Sequence, residues 1–423
     1  MILHVQNARL IDPEGLTDGI GSLTIRDGLI EAVGAAAPEG AEIIDAAGKC
    51  TAPGIVDWGV KIGEPGERHK ESFRSAGLAA AAGGVTTIIA RPDTLPPLDD
   101  PEALEFVARR AADAPVHIRH MAALTKGRQG REMVEMGFLQ DAGAVAFSDG
   151  VRPVTDTRLL SRCMTYARGL DALIVGHPQD AGLSAGAVAT SGKFASLYGL
   201  PAVSPMAEVM GLDRDLGLVR MTRARWHADQ ITVAASLPAL RRAKDEGLDI
   251  TAGTSIHHLT LNEFDLGDYR TFFRFTPPLR SEDDRVAMIE AVAEGVIDVI
   301  ASFHTPQDEE SKRLPFAEAA PGAVGLQTLL PAAMRLFHQG GLTLPQLWRA
   351  MSLNPARRLG LDAGRLAPGA SADLVLFDPE APFVMDRFKL LSKSKNTPFD
   401  GALMQGRVIG TWVRGKRVFA GEK

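Results

Sequence analysis

Between about residues 54 and 345, short apolar runs alternate with longer segments whose apolar positions follow the helical period. Runs of the first kind suit parallel strands buried on both faces, and segments of the second kind suit helices packed over them. The runs are Ile55 to Val60, Val85 to Ala90, Val116 to His120, Ala144 to Phe147, Ala172 to Val175, Gln230 to Ala234, Leu248 to Thr251 and Val296 to Ala301. Strands alternating with helices in this number predict an α/β fold, a (β/α)8 barrel. Helix punctuation agrees. Asp99 or Asp100 caps a helix opened by Pro101, along which Leu104, Val107, Ala108 and Ala111 make one apolar stripe. Ser236 and Pro238 open another, which Gly247 ends.

The two ends of the chain read differently. Leu3 to Val5, Ser22 to Ile25 and Leu29 to Val33 are strand-like and separated by Asp-Pro and Asp-Gly turns. Ala372 to Phe377 and Val408 to Val413 resume that style near the C-terminus. Residues 1–52 and 363–423 are therefore expected to pair into one small β-sandwich beside a barrel spanning 53–362. Asp180 to Leu200 and Thr305 to Gly325 read as loops; the second follows the last barrel strand and is either a lid or a solvated, partner-facing segment.

Composition narrows the function classes. The chain has 423 residues, 45% hydrophobic and 23% charged, with a net charge of −6. That suits a soluble protein with one large core and an appendage, and it offers no basic field for nucleic acid and no polybasic cluster for lipid. No basic leader precedes an apolar stretch at the N-terminus and no run is long enough to span a membrane, so a cytoplasmic location is expected. Cys50 and Cys163 have no CxxC spacing and are expected to be buried thiols.

Chemistry enters with a set of short words in fixed order. These are Pro53-Gly54-Ile55-Val56-Asp57, Glu64-Pro65-Gly66, Ala82-Gly83-Gly84-Val85-Thr86-Thr87, Pro92-Asp93-Thr94, Phe147-Ser148-Asp149-Gly150, Pro277-Pro278-Leu279-Arg280 and Gly364-Arg365-Leu366-Ala367-Pro368-Gly369. Together they resemble dihydroorotase, a zinc-dependent cyclic amidohydrolase of pyrimidine synthesis, along the whole chain. The resemblance implies the amidohydrolase barrel with its β-sandwich and metal ligands at the C-terminal ends of the strands.

Most of the implied ligands are missing. Where the family carries His-x-His, this chain has Gly59 and Lys61, and a lysine ammonium repels a divalent cation. The substrate-gripping Arg two residues on is Gly63. His177 stands at a ligand position, whereas the second ligand His is replaced by Gln230, with His227 reachable by a shifted register. The catalytic Asp of the last strand is Phe303, which neither binds a proton nor holds a cation by charge. Asp93 and Thr276 replace substrate-binding asparagines, and His304 remains at a substrate-binding position beside Arg91. Asp149 and His177 are the surviving candidates for a metal side. His257-His258 is expected to be hydrogen-bonded packing.

Three readings follow. The leading one is an inactive pseudo-dihydroorotase that needs no cofactor. Resemblance to that subgroup implies a structural role beside the aspartate transcarbamoylase catalytic chain, as a hetero-oligomer, a homodimer or both. The alternative is an active zinc-dependent hydrolase with one metal on His177, Asp149 and either His227 or His304. The third is metal-free sensing of an anion by Lys61, Arg91 and His304.

Overall fold

The computed structural model describes residues 2–421. The N-terminal segment forms β1 (Ile2–Asp12), β2 (Thr17–Arg26), β3 (Leu29–Val33), β4 (Glu42–Asp45) and β5 (Cys50–Pro53). The barrel follows. Its strands β6 (Ile55–Val60), β7 (Val85–Ala90) and β8 (His117–His120) pair in parallel. Phe147 supplies the fourth position through single bridges to Ala122 and Ile174, without forming an extended strand. After β9 (Ile174–Gly176), the two-residue strands β10 (Ala189–Thr190) and β11 (Ala202–Val203) pair outside the barrel. The barrel then resumes with β12 (Trp226–Ala228), β13 (Ile250–Ser255) and β14 (Val299–Ala301). It closes where the Lys61 amide donates to the His304 carbonyl at 2.8 Å. The Ser302 amide also donates to the buried Asp57 carboxylate of β6, at 2.8 Å.

The sixth strand lies upstream of the apolar run Gln230 to Ala234. Ile231 and Val233 of that run are buried, but the amides of Thr232 and Val233 donate to the Glu208 carboxylate rather than to a neighbouring strand. Apolar character marked burial here, and a buried acid diverted the backbone donors that a ladder requires. Glu208 also takes the Ser236 hydroxyl, at 2.8 Å, so Ser236 makes no side-chain cap. The helix Pro101–Ala111 has its cap on Asp100, and Leu104, Val107 and Ala111 are buried, while Ala108 is exposed.

The chain ends join in one sheet. β15 (Leu374–Val384), β16 (Leu403–Val413) and β17 (Lys416–Ala420) continue it in the order β17-β16-β15-β5-β1-β2-β3, with β4 also on β1. The layers expected of a sandwich are thus hydrogen-bonded into a continuous sheet. It has its own core, to which Leu3, Val5, Leu23 and Ile25 contribute from one end and Leu374, Leu376 and Trp412 from the other. Trp348 seats this unit on the barrel: its ring stacks on Phe377 at 4.8 Å and its Nε1 donates to the Pro53 carbonyl. Asp180 to Leu200 contains two short helices and β10. The 305–325 stretch is pinned from below, since Asn396 donates to the carbonyls of Thr305 and Gly322 and buried Lys312 donates to those of Thr271 and Ala320.

Candidate active site

The C-terminal ends of β6 and β14 meet at Gly59 and Phe303. Both have left-handed backbone, with φ of 71° at Gly59 and 45° at Phe303. A β-carbon added to Gly59 would stand 2.7 Å from both Cδ1 and Cε1 of Phe303. The phenyl ring therefore lies directly against the glycine, in the room that a side chain at position 59 would need. Gln230, just beyond β12, is a second non-glycine residue with left-handed backbone (φ 58°). Such positions are sparsely populated and cluster where a scaffold holds functional side chains. Here the side chains so held are an amide and a hydrocarbon ring.

Beside them is a cavity of about 170 Å3, lined by Lys61, Arg91, Asp93, Gln230, Thr276 and Phe303 among others. Its cations are neutralised within the chain. Lys61 Nζ lies 2.8 Å from Glu67 and 4.0 Å from Asp93. Arg91 grips both oxygens of Asp93, at 3.2 and 3.1 Å. Burial works to raise the Asp93 pKa, but Arg91, Lys61 and Arg128 outweigh it and hold the carboxylate below its ordinary range. The same contest at Glu67 is won by Lys61 and Lys70. His257 and His258 also line the cavity; burial first, then the neighbouring histidines for His257 and Arg280 for His258, push their pKa values down to about 3 and about 4. Both imidazoles are neutral at physiological pH.

Several expected site residues lie elsewhere. His304 does not line the cavity: it is fully buried, its Nδ1 accepts the Gly325 amide at 3.0 Å, and its Nε2 faces Glu71 at 3.3 Å. Burial opposes charge on Glu71, yet His304, Ser392 and Ser75 together hold its pKa below the ordinary value. His304 thus ties β14 to the helix Phe73–Ala82 and the C-terminal segment instead of meeting a substrate. Gly63 is likewise outside the cavity, and a β-carbon there would stand 2.3 Å from the Glu67 carbonyl oxygen, so an arginine would displace that turn. His177 and Asp149 do come together, around a separate void of about 20 Å3. Asp149 is already engaged by the amides of Leu124 and Thr125 and the Thr125 hydroxyl. Burial, then Arg91 and Arg280, push the His177 pKa down to about 4. His227 lies inside the barrel with its ring 4.5 Å from that of Trp58 and its Nδ1 bonded to Thr251.

Among the described residues, no three His, Cys, Asp or Glu side chains gather closely enough to hold a metal ion. The donor set at the mouth, a paired ammonium, a carboxamide and a phenyl ring, does not fit zinc. In particular, His177, Asp149 and His227 or His304 do not form the single-metal site that the alternative reading requires.

Comparison with known proteins places the chain in a lineage. The family described as Dihydro-orotase-like matches residues 48–235, and the one described as Amidohydrolase family matches residues 279–419. A dihydroorotase of Pelobacter propionicus is 38% identical over 422 residues, covering 99% of this chain and 100% of that protein. A dihydroorotase-like protein of Pseudomonas aeruginosa is 39% identical over 419 residues, covering 98% and 99%. The chain belongs to the dihydroorotase-like amidohydrolase family. Its fold matches that of an L-hydantoinase from Arthrobacter aurescens with a TM-score of 0.89 at 25% identity, covering 100% of this chain and 96% of that one.

This dihydroorotase-like chain also carries acids that its sequence pattern does not single out. Glu67 and Glu71 neutralise or orient Lys61 and His304. Glu208 organises Thr232, Val233 and Ser236, and its carboxylate lies 3.6 Å from Arg280 of the Pro277–Arg280 word. Asp229, next to Gln230, is buried with one carboxylate oxygen unpartnered. No local spacing announces the roles of Glu71 and Glu208, because His304 and Thr232 are distant from them in sequence.

Proposed function

We propose that this dihydroorotase-like chain is a non-catalytic member of its family in pyrimidine biosynthesis, acting as a structural partner of the aspartate transcarbamoylase catalytic chain. One observation carries the non-catalytic half: the Phe303 ring packs on Gly59 in the space where family ligands would converge. A hydrolase that activates water on zinc needs ligands and a proton acceptor there, and neither is supplied. The partner half rests on sequence resemblance to family members that lack the same ligands.

Chain purified in the presence of zinc is expected to hold well under about 0.1 metal per chain and to show no turnover of dihydroorotate or carbamoyl aspartate. It is expected to co-elute with the aspartate transcarbamoylase catalytic chain on size exclusion. Overall similarity to proteins named dihydroorotase favours the second reading, a zinc-dependent cyclic amidohydrolase. About one zinc per chain together with turnover would establish that reading and remove ours.

A further inference from the structure

We propose that a groove on the C-terminal sheet, sharing no residue with the barrel-mouth cavity, docks an apolar, carboxylate-bearing segment of a protein partner. This rests on the partnership proposed above and assigns the face that makes it. The groove, of about 390 Å3, lies where β15, β16 and β17 meet the helix Leu329–His338, and Phe383, Leu390, Val408 and Phe419 give it apolar walls. Its surroundings are apolar too. Val384, in the lining, stands opposite Leu403 across β15 and β16, and the two are 62% and 69% exposed. Phe388, between the lining residues Asp386 and Lys389, is 71% exposed, with the Arg387 guanidinium 4.6 Å from its ring. Scattered exposed apolar side chains need no explanation, whereas several gathered around a groove mark an interaction surface. A small molecule filling the groove leaves Leu403 and Phe388, which lie outside the lining, in water; a polypeptide segment covers them as well.

Charge selects the occupant. Lys389 and Arg407 line the groove, are exposed, and form no ion pair among the described residues. The Arg407 guanidinium lies 5.4 Å from the Phe383 ring and donates only to the Pro382 carbonyl, at 3.4 Å. Asp386, the carboxylate in the lining, already accepts the Phe388 amide at 2.9 Å. The groove therefore carries more positive than negative charge, and carboxylates on the incoming segment complement it. A second copy docking through the same patch about a two-fold axis sets these cations against themselves, so a different chain is favoured.

The test is size exclusion and calorimetry of the full chain mixed with the aspartate transcarbamoylase catalytic chain. Arg407→Glu combined with Lys389→Glu, and separately Leu403→Glu, are each expected to weaken association at least about tenfold. Because all three side chains are exposed, the melting temperature is expected to stay within about 2 °C. If Leu403→Glu lowers it further, the charge reversal decides. Unchanged association of a folded variant overturns this assignment and leaves the partnership standing, whereas an unaltered chain that does not associate overturns both. Substitutions that split a dimer of this chain while the mixed complex persists put a second copy in the groove, which also overturns the assignment.

Discussion

Substituting Gly59 by alanine is expected to destabilise the protein by about 2–4 kcal/mol, combining overpacking with the cost of a β-carbon in left-handed backbone. The methyl would meet the Phe303 ring at 2.7 Å, against a backbone φ of 71°. Phe303→Ala alone is expected to cost about 3–5 kcal/mol, since it removes a buried ring and leaves a hole. The two should not add. Once the ring is gone, the methyl at position 59 keeps only its backbone penalty of about 1 kcal/mol, so the double variant should be more stable than additivity predicts by about 1–3 kcal/mol. Denaturant titration of the four proteins checks this, and additivity within about 0.5 kcal/mol would show that ring and glycine are not coupled. The same geometry bears on attempts to restore chemistry. Gly59→His with Lys61→His should lower the melting temperature and give neither zinc binding nor turnover, because Phe303 still occupies the space and Gln230 offers only a neutral amide.

The second large effect concerns pH. Burial pushes the Asp229 carboxyl up to about 7, with Arg91 only partly opposing it. A carboxyl whose folded pKa exceeds its unfolded value keeps its proton in the fold where the unfolded chain has lost it. Stability is therefore greatest below the unfolded pKa, near 3.9, and is lost as pH rises through about 7. Asp229→Asn removes that loss. It is expected to stabilise the protein by up to about 4 kcal/mol at pH 8 but only about 1.5 kcal/mol at pH 5, from about 1.4 kcal/mol per unit of displacement. Unfolding curves at the two pH values measure the difference. A gain independent of pH would mean that Asp229 is not protonated in the fold.

How much of this was legible in the sequence varied with the range of the interactions. Strands β6 and β7 were readable to the residue because Ile55 to Val60 and Val85 to Ala90 are buried throughout, as parallel strands covered on both faces must be. The sixth strand was misplaced because apolar pattern reports burial, whereas strand identity depends on where the amides donate, and Glu208 captured those of Thr232 and Val233. The reading of Gly59, Lys61, Gln230 and Phe303 as lost ligand positions rests on residue type, which the sequence prints directly. Their arrangement is not printed there. The contact between Gly59 and Phe303 spans almost the whole barrel sequence, and left-handed backbone at Phe303 and Gln230 has no signature in residues that normally avoid it. His304 stands at a substrate-binding position of the family it resembles, but Glu71, just ahead of the helix Phe73–Ala82, holds it in the core.

The continuous sheet built from both chain ends constrains how the polypeptide is made. Residues Cys50–Pro53 pair with Leu374–Phe377, so strand β5 waits for a neighbour synthesised more than three hundred residues later. Until then the growing chain carries an unpaired apolar edge, the kind of surface that recruits chaperones or joins to other nascent chains. Closing so long a loop is slow. Emergence of Leu374–Phe377, rather than completion of the barrel, is then the step that closes this edge, and truncations that remove those residues should yield aggregates in place of a shortened but soluble barrel.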